Sequence, residues 1–359
     1  MSDSPKVSII IPVYNQRGFT DLCLKYVRRH SPEGFFECMV VDNGSTDSTP
    51  DVLGALGAPF MSVRNDENLG FAHACNQGAN QCRGEYFLFL NNDTAPHANW
   101  LTELVRSIEE HPDRAMAGSQ LLFPDHNIQH AGVVFDFSHT PYHLYTDCPK
   151  SLEGANKERE FNAVTGACMM VRREVFLEQG GFDTRYENCL EDIDFCLKVR
   201  QSGKKIVYSP KSVLTHFEAR SEGRRQMEAK AKELFLSIWE DKIEQDDLDF
   251  LVPDGMRIKI PPGKAFEFIT ETEQDVLMSQ KKSSGLLHLK AGRIKEALPI
   301  YTELFMEFPY DSGVLEAMGD ISGRAGDKEQ GGFFYGMALK IAPDNMVLAQ
   351  KMENLNAAQ

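Results

Sequence analysis

The stretch that decides the fold reads ECMVVDNGSTD and spans residues 37–47. Its first half, Glu37 to Asp42, is an almost continuous apolar run, which indicates a buried strand. The run ends at Asp42 and passes at once into Asn43 and Gly44, residues that favour turns. Acidic and amide side chains therefore stand directly at the carboxyl end of a buried strand.

Strands and helices alternate on both sides of this stretch. Apolar runs predict strands at residues 7–13, 37–42, 59–64, 86–90, 115–122, 167–171 and 205–209. Helical patterns occupy residues 19–29, 47–56, 71–81, 191–201 and 221–244. This alternation is typical of βαβ units and a mostly parallel sheet, where ligands bind at the carboxyl ends of strands. The site is therefore predicted at Tyr14-Asn15, Asp42-Asn43 and Asn91-Asn92-Asp93.

Composition excludes several classes of protein. The chain has 359 residues and a net charge of −15, which is unsuited to general binding of nucleic acid or anionic membranes. It has no apolar run of about 18 residues, so we expect no transmembrane segment. The N-terminal residues do not resemble a signal peptide, and the eight cysteines form no CxxC pair. We expect a cytoplasmic protein, either free or peripheral at the inner face of the membrane.

The C-terminal part changes character after a segment rich in turn formers, residues 246–280, which we interpret as a connector. Beyond it, residues recur 34 positions apart: Gly292 and Gly326, Tyr301 and Tyr335, Pro309 and Pro343. This period is typical of tetratricopeptide repeats, with an unrelated helical pair as the alternative. We predict three parts: an α/β domain over 1–245, the connector, and a small all-α helical-repeat domain over 281–359. The repeats would bind a protein partner or form a homodimer.

An ordered set of motifs runs through the first part of the chain. It consists of Ile11-Pro12-Val13-Tyr14-Asn15, Asp42 to Asp47, Asn65 to Ala72 with Asn76, Asn91 to Thr94, Thr165-Gly166, Gly180 to Asp183, Glu191 to Asp194, and His216. This succession resembles the family 2 inverting glycosyltransferases over about residues 5–220. The resemblance implies the GT-A nucleotide-sugar-binding fold, a Rossmann-like mixed sheet flanked by helices. It also implies hexosyl or deoxyhexosyl transfer from a nucleotide sugar to an acceptor hydroxyl.

The resemblance assigns a donor site to the strand ends. Asp42 would accept the imide N–H of uracil or thymine, so UDP and dTDP donors both remain open. The resemblance assigns further donor-binding roles to Pro12, Tyr14, Asn15, Asn68, Gly70, Asn76, Asn92 and Asp93. The alternative for the segment after Asp42 is a plain turn and helix cap, and Asn68 and Gly70 could equally be turn residues.

A divalent metal is implied next, because a diphosphate leaving group concentrates negative charge in an acidic protein. Asn91-Asn92-Asp93 occupies the place of the family's DxD motif, with amides at the first two acidic positions. Asp93 and His216 would bind Mn²⁺ or Mg²⁺, and the diphosphate would supply further ligands. A structural role is the alternative for His216.

Catalysis is assigned by the resemblance to the acidic pair Glu191-Asp192. Asp192 falls on the general base, which removes the acceptor proton and leads to inversion. The alternative is that both acids complement the dipole of the helix that they begin. Asp194 is predicted to be structural, because it points elsewhere on that helix.

Two further groups of polar residues allow more than one interpretation. Arg220, Arg224 and Arg225 could contact the diphosphate from a loop or belong to a solvated helix. The histidines at 126, 130, 139 and 143 could form a second metal site, but their spacing favours an acceptor-loop surface.

The motifs together predict an inverting glycosyltransferase of cell-surface glycan biosynthesis that acts on a glycan or a glycosylated protein. A processive membrane synthase is excluded, because the chain lacks a Gln-x-x-Arg-Trp motif. One rival is a non-catalytic scaffold that recruits partners through its helical repeats. A nucleotidyltransferase is the other rival, but the loop after residue 13 is too short and too poor in glycine for it.

Overall fold

The computed structural model describes residues 4–186, 188–218, 224–262 and 266–357, with the side chains of 224–228 left aside. The chain divides into two compact units, Met1–Gln245 and Asp246–Gln359. In the parts that the structure describes, no helix has the length and apolar character needed to cross a membrane.

The first unit is an α/β domain. Its strands are β1 Val7–Val13, β2 Phe36–Asp42, β3 Phe60–Arg64, β4 Tyr86–Leu90, β5 Thr94–Pro96, β6 Arg114–Leu122, β7 Ile128–His130, β8 Val133–Phe135, β9 Pro141–His143, β10 Arg159–Phe161, β11 Cys168–Arg172 and β12 Lys205–His216. Its helices are α1 Arg17–His30, α2 Thr49–Gly54, α3 Phe71–Ala79, α4 Trp100–Glu109, α5 Arg173–Glu178, α6 Glu191–Gln201 and α7 Arg224–Trp239.

Ten of these strands form one sheet, with the order β10-β12-β6-β11-β4-β1-β2-β3 and with β5 and β7 paired to β12 and β6. β4, β1, β2 and β3 run parallel, as do β6 and β12, whereas β11 is antiparallel between β4 and β6. The predicted α/β class with a mixed sheet and flanking helices is confirmed. β5 and β7 to β10 were not predicted, because each has only three residues.

Alternate residues of the central strands supply two separate apolar layers. Ile10, Val41 and Phe89 pack on one face of the sheet, in a cluster that includes residues of α3 and α6. Ile11 and Val40 lie in the opposite cluster, which includes residues of α1 and α4. Burial of each such side chain stabilises the fold by about 1.5–3 kcal/mol, so the strands are held rigidly between two helical layers. The polar strand ends are thereby built on a rigid base.

The second unit contains α8 Leu248–Leu251, the hairpin β13 Met256–Lys259 with β14 Glu267–Thr270, and the helices α9 Glu271–Lys290, α10 Ile294–Glu307, α11 Ser312–Arg324, α12 Lys328–Ile341 and α13 Met346–Ala357. Residues 246–280, predicted as a connector, thus hold a short helix, a hairpin and the first half of α9. The helical region begins at Glu271, earlier than predicted. A capping box formed by Thr270 and Glu273 starts α9.

Candidate functional site

The predicted strand ends lie at one edge of the sheet. Asn43 N–H donates to Val13 O at 2.7 Å, and Asn65 N–H donates to Asp42 O at 2.8 Å. On the other side of β1, Asn91 N–H donates to Ala167 O at 3.0 Å. Each bond extends the ladder by one step beyond the strands, so the loops that follow β1 to β4 leave the sheet together. The structure therefore brings these segments to the carboxyl edge, where open α/β sheets bind ligands.

The Asp42 side chain is buried and accepts hydrogen bonds from two residues at this edge. Its Oδ1 accepts the backbone N–H of Ser45 at 2.9 Å, and its Oδ2 accepts Nη1 of Arg64 at 2.6 Å. Nη2 of Arg64 donates to the carbonyl oxygen of Ser45 at 2.8 Å. The guanidinium is half exposed, whereas the Asp42 side chain is 2% exposed. Asp42 is therefore a fixed carboxylate with a cation on one side, and Arg64 was missed by the sequence analysis.

Asn15 joins the loop after β1 to the loop after β2. Its backbone N–H donates to Ser45 Oγ at 2.8 Å, and its Oδ1 accepts the backbone N–H of Thr46 at 2.7 Å. The residue has φ +59, in the left-handed region that Asn tolerates. Tyr14 beside it is 44% exposed, and Pro12 is partly buried in β1. Asn15 thus ties the loops after β1 and β2 together, and Tyr14 beside it is exposed.

A second set of amides holds the loop after β3. Asn43 Nδ2 donates to Asn68 Oδ1 at 2.7 Å and to Gly70 O at 3.2 Å. Asn43 Oδ1 accepts Nδ2 of Asn65 at 3.0 Å and the backbone N–H of Leu69 at 3.1 Å. Asn68 and Gly70, two predicted donor-binding residues, are therefore fastened to the end of β2 by Asn43.

Asn76, another predicted donor-binding residue, bonds to the backbone of the loop before α6. Its Nδ2 donates to Phe182 O at 2.8 Å, and its Oδ1 accepts Phe182 N–H at 2.9 Å. This pair of bonds joins α3 to the loop that leads towards α6. The carboxamide of Asn76 therefore acts as a clamp on the backbone.

The polar end of β4 meets the end of β12. His216 and Thr94 are register partners, and Nε2 of His216 lies 3.1 Å from Oδ1 of Asp93. Asn91 Nδ2 is 3.5 Å from the same ring nitrogen. Asn92 Nδ2 donates to Thr20 Oγ1 on α1 at 2.9 Å. The structure thus brings together Asp93 and His216, which are far apart in sequence, and β12 reaches His216 where the predicted strand ended at residue 209.

Asp93 and His216 fit as two ligands of one divalent cation. Adjacent ligands of an octahedral Mg²⁺ or Mn²⁺ lie about 3 Å apart, given metal–ligand distances near 2.1 Å. Carboxylate suits Mg²⁺ and Mn²⁺, and Mn²⁺ also accepts an imidazole. Within the described ranges, no three His, Cys, Asp or Glu side chains are grouped so as to hold a metal ion. A cation held by these two residues would take its other ligands from a substrate or from water.

The predicted catalytic pair begins α6. Asp192 Oδ2 accepts the backbone N–H of Gly166 at 2.6 Å, and Oδ1 accepts the backbone N–H of Ile193 at 2.8 Å. Gly166 immediately precedes Ala167, the partner of Asn91, so Asp192 is held at the same edge of the sheet. Glu191 is buried. Asp194 is fully buried, where it accepts from Nε1 of Trp239 at 2.8 Å and pairs with Lys198 at 2.7 Å, in accordance with a structural role.

The histidine prediction needs a correction. His130 is fully buried in the sheet, not part of an acceptor-loop surface, and it bonds to Ser119 O and to the backbone N–H of Thr165. Burial and the charges of His143 and His216 lower the pKa of His130 well below its usual value. His126 alone of the four is well exposed. Arg220 and the side chains of Arg224 and Arg225 lie outside the described residues.

Residues 8–180 match the sequence model of glycosyl transferase family 2. This matched segment has the sequence pattern of a glycosyltransferase family 2 domain. The O-antigen biosynthesis protein RfbC of Myxococcus xanthus is 32% identical over 228 residues, which are 61% of this chain and 18% of that protein. The chain therefore aligns with less than a fifth of this relative's length.

Two further similarities agree with the family match. An N-acetylglucosaminyl-diphospho-decaprenol L-rhamnosyltransferase of Mycobacterium tuberculosis is 26% identical over 208 residues, 52% of this chain and 68% of that protein. The crystal structure of GalNAc-T7 with UDP, GalNAc and Mn²⁺ superposes with a TM-score of 0.55 at 18% identity, over 70% of this chain and 51% of that one. At this identity the likeness shows the fold alone, and the GT-A class is confirmed.

Proposed function

We propose that the chain is an inverting glycosyltransferase that moves a sugar from a UDP- or dTDP-sugar to an acceptor hydroxyl. The observation that carries this proposal is the pairing of Asp93 with His216 at 3.1 Å, on the edge of the sheet that also holds Asp42 and Asp192. The proposed sites for the nucleobase, the cation and the general base would thus lie along one edge of the sheet. The family match supports sugar transfer; the donor, the acceptor and the metal are our inference.

Nucleotide binding would use the slot between the loops after β1 and β2. Ser45 and Arg64 fix the orientation of the Asp42 side chain, and its oxygens can accept an imide N–H from uracil or thymine. Tyr14 provides an exposed ring against which a flat base can pack. Asn15 and Asn43 keep the two sides of the slot in place, which lowers the cost of ordering the loops when the donor binds.

Asp93 and His216 would hold Mn²⁺ or Mg²⁺ together with the oxygens of the donor diphosphate. When bound, the cation supplies positive charge that stabilises the departing nucleoside diphosphate. Nδ2 of Asn92 donates to Thr20 on α1, which fixes the orientation of the carboxamide. The carboxamide oxygen would then accept a hydrogen bond from a ribose hydroxyl. The net charge of −15 makes such local compensation necessary for an anionic substrate.

Asp192 would act as the general base. The acceptor oxygen forms its bond to the anomeric carbon while its proton passes to the Asp192 carboxylate. The bond from the anomeric carbon to the diphosphate oxygen breaks in the same step, and its electron pair leaves with the nucleoside diphosphate. Hydrogen bonds from the backbone N–H groups of Gly166 and Ile193 orient the two carboxylate oxygens. One displacement inverts the anomeric centre.

The acceptor would be a glycan or a glycosylated protein of the cell surface. This part of the proposal rests on the names of the relatives, one of which acts in O-antigen biosynthesis and another of which is a rhamnosyltransferase. A deoxyhexose such as rhamnose is accordingly one of the sugars to test first.

The second unit would be a pair of tetratricopeptide-like repeats. α10 and α12 have 14 residues each, and their starts are 34 positions apart. A Cβ added to Gly285 would lie 2.8 Å from the ring of Tyr301, and one added to Gly319 would lie 2.5 Å from the ring of Tyr335. Both contacts recur at the period of 34 residues, which supports one repeated helix pair. We propose that this unit binds a protein or a second copy of the chain.

The proposal is tested with a panel of UDP-, dTDP- and GDP-sugars, with and without Mn²⁺, on the full chain and on Asp93→Ala. Release of one nucleoside diphosphate that requires Mn²⁺ and is lost in the variant would support the enzyme and name its donor. No binding of any nucleotide sugar in either condition would contradict catalysis and favour the scaffold alternative.

A further inference from the structure

A buried glutamine lies behind the histidine of the proposed cation site. Gln129 is 5% exposed, and its Oε1 is 2.6 Å from Nδ1 of His216, although 87 residues separate them. An amide oxygen can only accept, so Nδ1 of His216 carries the hydrogen. In the neutral ring the lone pair is then on Nε2, the nitrogen 3.1 Å from Asp93 Oδ1.

A β-bulge at Gln129 sets the direction of this side chain. β7 pairs with β6 through Leu121 with His130 and Leu122 with Ile128, so Gln129 is the extra residue of a β-bulge. Bulges redirect a side chain and are common beside functional sites. The carbonyl oxygen of Gln129 accepts from Nδ1 of His143 at 3.1 Å and from Oγ1 of Thr146 at 3.0 Å, which fixes the bulge in place.

The amide of Gln129 is only partly satisfied by hydrogen bonds. Its Nε2 is buried and has no hydrogen-bond partner among the described residues. A buried donor without a partner is destabilising and offsets the gain from the bond with His216. The bond to Nδ1 of His216 is the contact that an apolar side chain of similar length could not make.

We propose that Gln129 is a positioning residue, which holds His216 in the Nδ1–H tautomer and so presents Nε2 beside Asp93 to a divalent cation. This inference rests on the proposed function, because it assigns a partner to the same cation site. Groups behind a metal-bound histidine set its tautomer and orientation, and their loss lowers metal affinity by about 10–100-fold. The same range is expected here.

The test measures Mn²⁺ binding by the full chain in the presence of UDP or dTDP, by electron paramagnetic resonance. Pulsed spectra report whether an imidazole nitrogen is bound directly to the manganese. Gln129→Met removes the acceptor and keeps the length, whereas Gln129→Glu keeps an acceptor for Nδ1. Gln120→Met is the matched control, because Gln120 is also buried and its amide bonds to Tyr208 and Ala155.

Gln129→Met is expected to weaken Mn²⁺ binding by about 10–100-fold and to reduce the imidazole signal, with a melting temperature near that of the wild type. Gln129→Glu should restore both readouts, and Gln120→Met should leave both unchanged despite a loss of stability. If Gln129→Met does not fold, Gln129→Asn withdraws the same amide by one methylene and should show the same loss.

Wild-type affinity and an unchanged imidazole signal in Gln129→Met would overturn the role of Gln129 while leaving the cation site intact. A wild-type chain that binds Mn²⁺ with neither nucleotide would overturn the proposed function and this inference with it. The two failures are distinguished by the wild-type spectrum.

Discussion

Asp42 and Arg64 are register partners at the last positions of β2 and β3, and Nη1 of Arg64 donates to Oδ2 of Asp42 at 2.6 Å. The parallel pairing of the two strands therefore places a cation beside the carboxylate on which the proposed base slot depends. Nη2 of Arg64 also donates to Ser45 O, so the same guanidinium holds the turn that follows β2.

Arg64→Met is expected to destabilise the first unit by about 1–2 kcal/mol and to weaken nucleotide binding. The buried Asp42 loses a partner, but the half-exposed position of Arg64 and the bond from Ser45 keep the loss below that of a fully buried ion pair. Urea unfolding and calorimetric titration with UDP measure the two effects. Arg83→Met is the control, since Arg83 is 70% exposed and lies 3.9 Å from Glu37. Equal effects of the two variants would contradict this account.

Asn76→Ala tests whether Asn76 mainly holds the backbone of Phe182 or mainly binds the donor. Loss of two bonds to the Phe182 backbone should lower the free energy of unfolding by about 2–3 kcal/mol. Nucleotide affinity of the folded protein should stay within about threefold of the wild type. The exposed Asn80 at the end of α3 provides the control, Asn80→Ala. A large loss of UDP affinity with unchanged stability would favour the donor-binding role instead.

Gly44→Ala tests how tightly the turn after Asp42 packs. Gly44 has φ +81, and an added Cβ would lie 2.7 Å from the backbone of Glu67. Because backbone atoms cannot move aside cheaply, we expect a loss of about 2–3 kcal/mol in unfolding free energy. Gly34→Ala is the matched control, with φ +73 and no atom within 4 Å, and it should lose only about 1 kcal/mol. Similar losses in both variants would show that φ alone matters.

His130 makes stability depend on pH. Burial holds the pKa of His130 well below the value near 6.5 of an unfolded chain, so the unfolded state binds the proton first. The contribution of His130 to the free energy of unfolding is therefore fully present above about pH 6.5. This free energy falls as pH drops, by about 1.4 kcal/mol between pH 7.5 and 5.5. Urea unfolding of the wild type and of His130→Gln at both pH values measures it. Parallel pH dependence in the two proteins would contradict the prediction.

Local sequence patterns predicted most strands of the central sheet. β1 and β4 have the bounds that the sequence predicts, because each is an apolar run closed by turn formers. α4 was missed although Trp100, Leu104 and Ile108 recur at helical spacing, so its signal was present. β12 was predicted to end at Ser209, whereas the strand of the structure is Lys205–His216. A bulge between Ser209 and Val213 lets it continue to His216.

The site residues that the sequence analysis missed depend on contacts that no local pattern reveals. Arg64 reaches Asp42 only through the pairing of β2 with β3, and Gln129 meets His216 only through the bulge in β7. His130 was misplaced for the same reason, since its segment is polar but pairs with the central β6. Motif order predicted which side chains carry the chemistry, whereas the groups that orient them required the tertiary structure.

The most direct test of the central claim follows the anomeric proton by NMR while the full chain hydrolyses or transfers from its nucleotide-sugar donor, with Asp192→Asn beside it. We expect nucleoside diphosphate release with the inverted anomer formed first. In Asp192→Asn, kcat should fall by about 10²–10⁴-fold while nucleotide affinity stays unchanged. A first product of retained configuration, or a variant as active as the wild type, would contradict it.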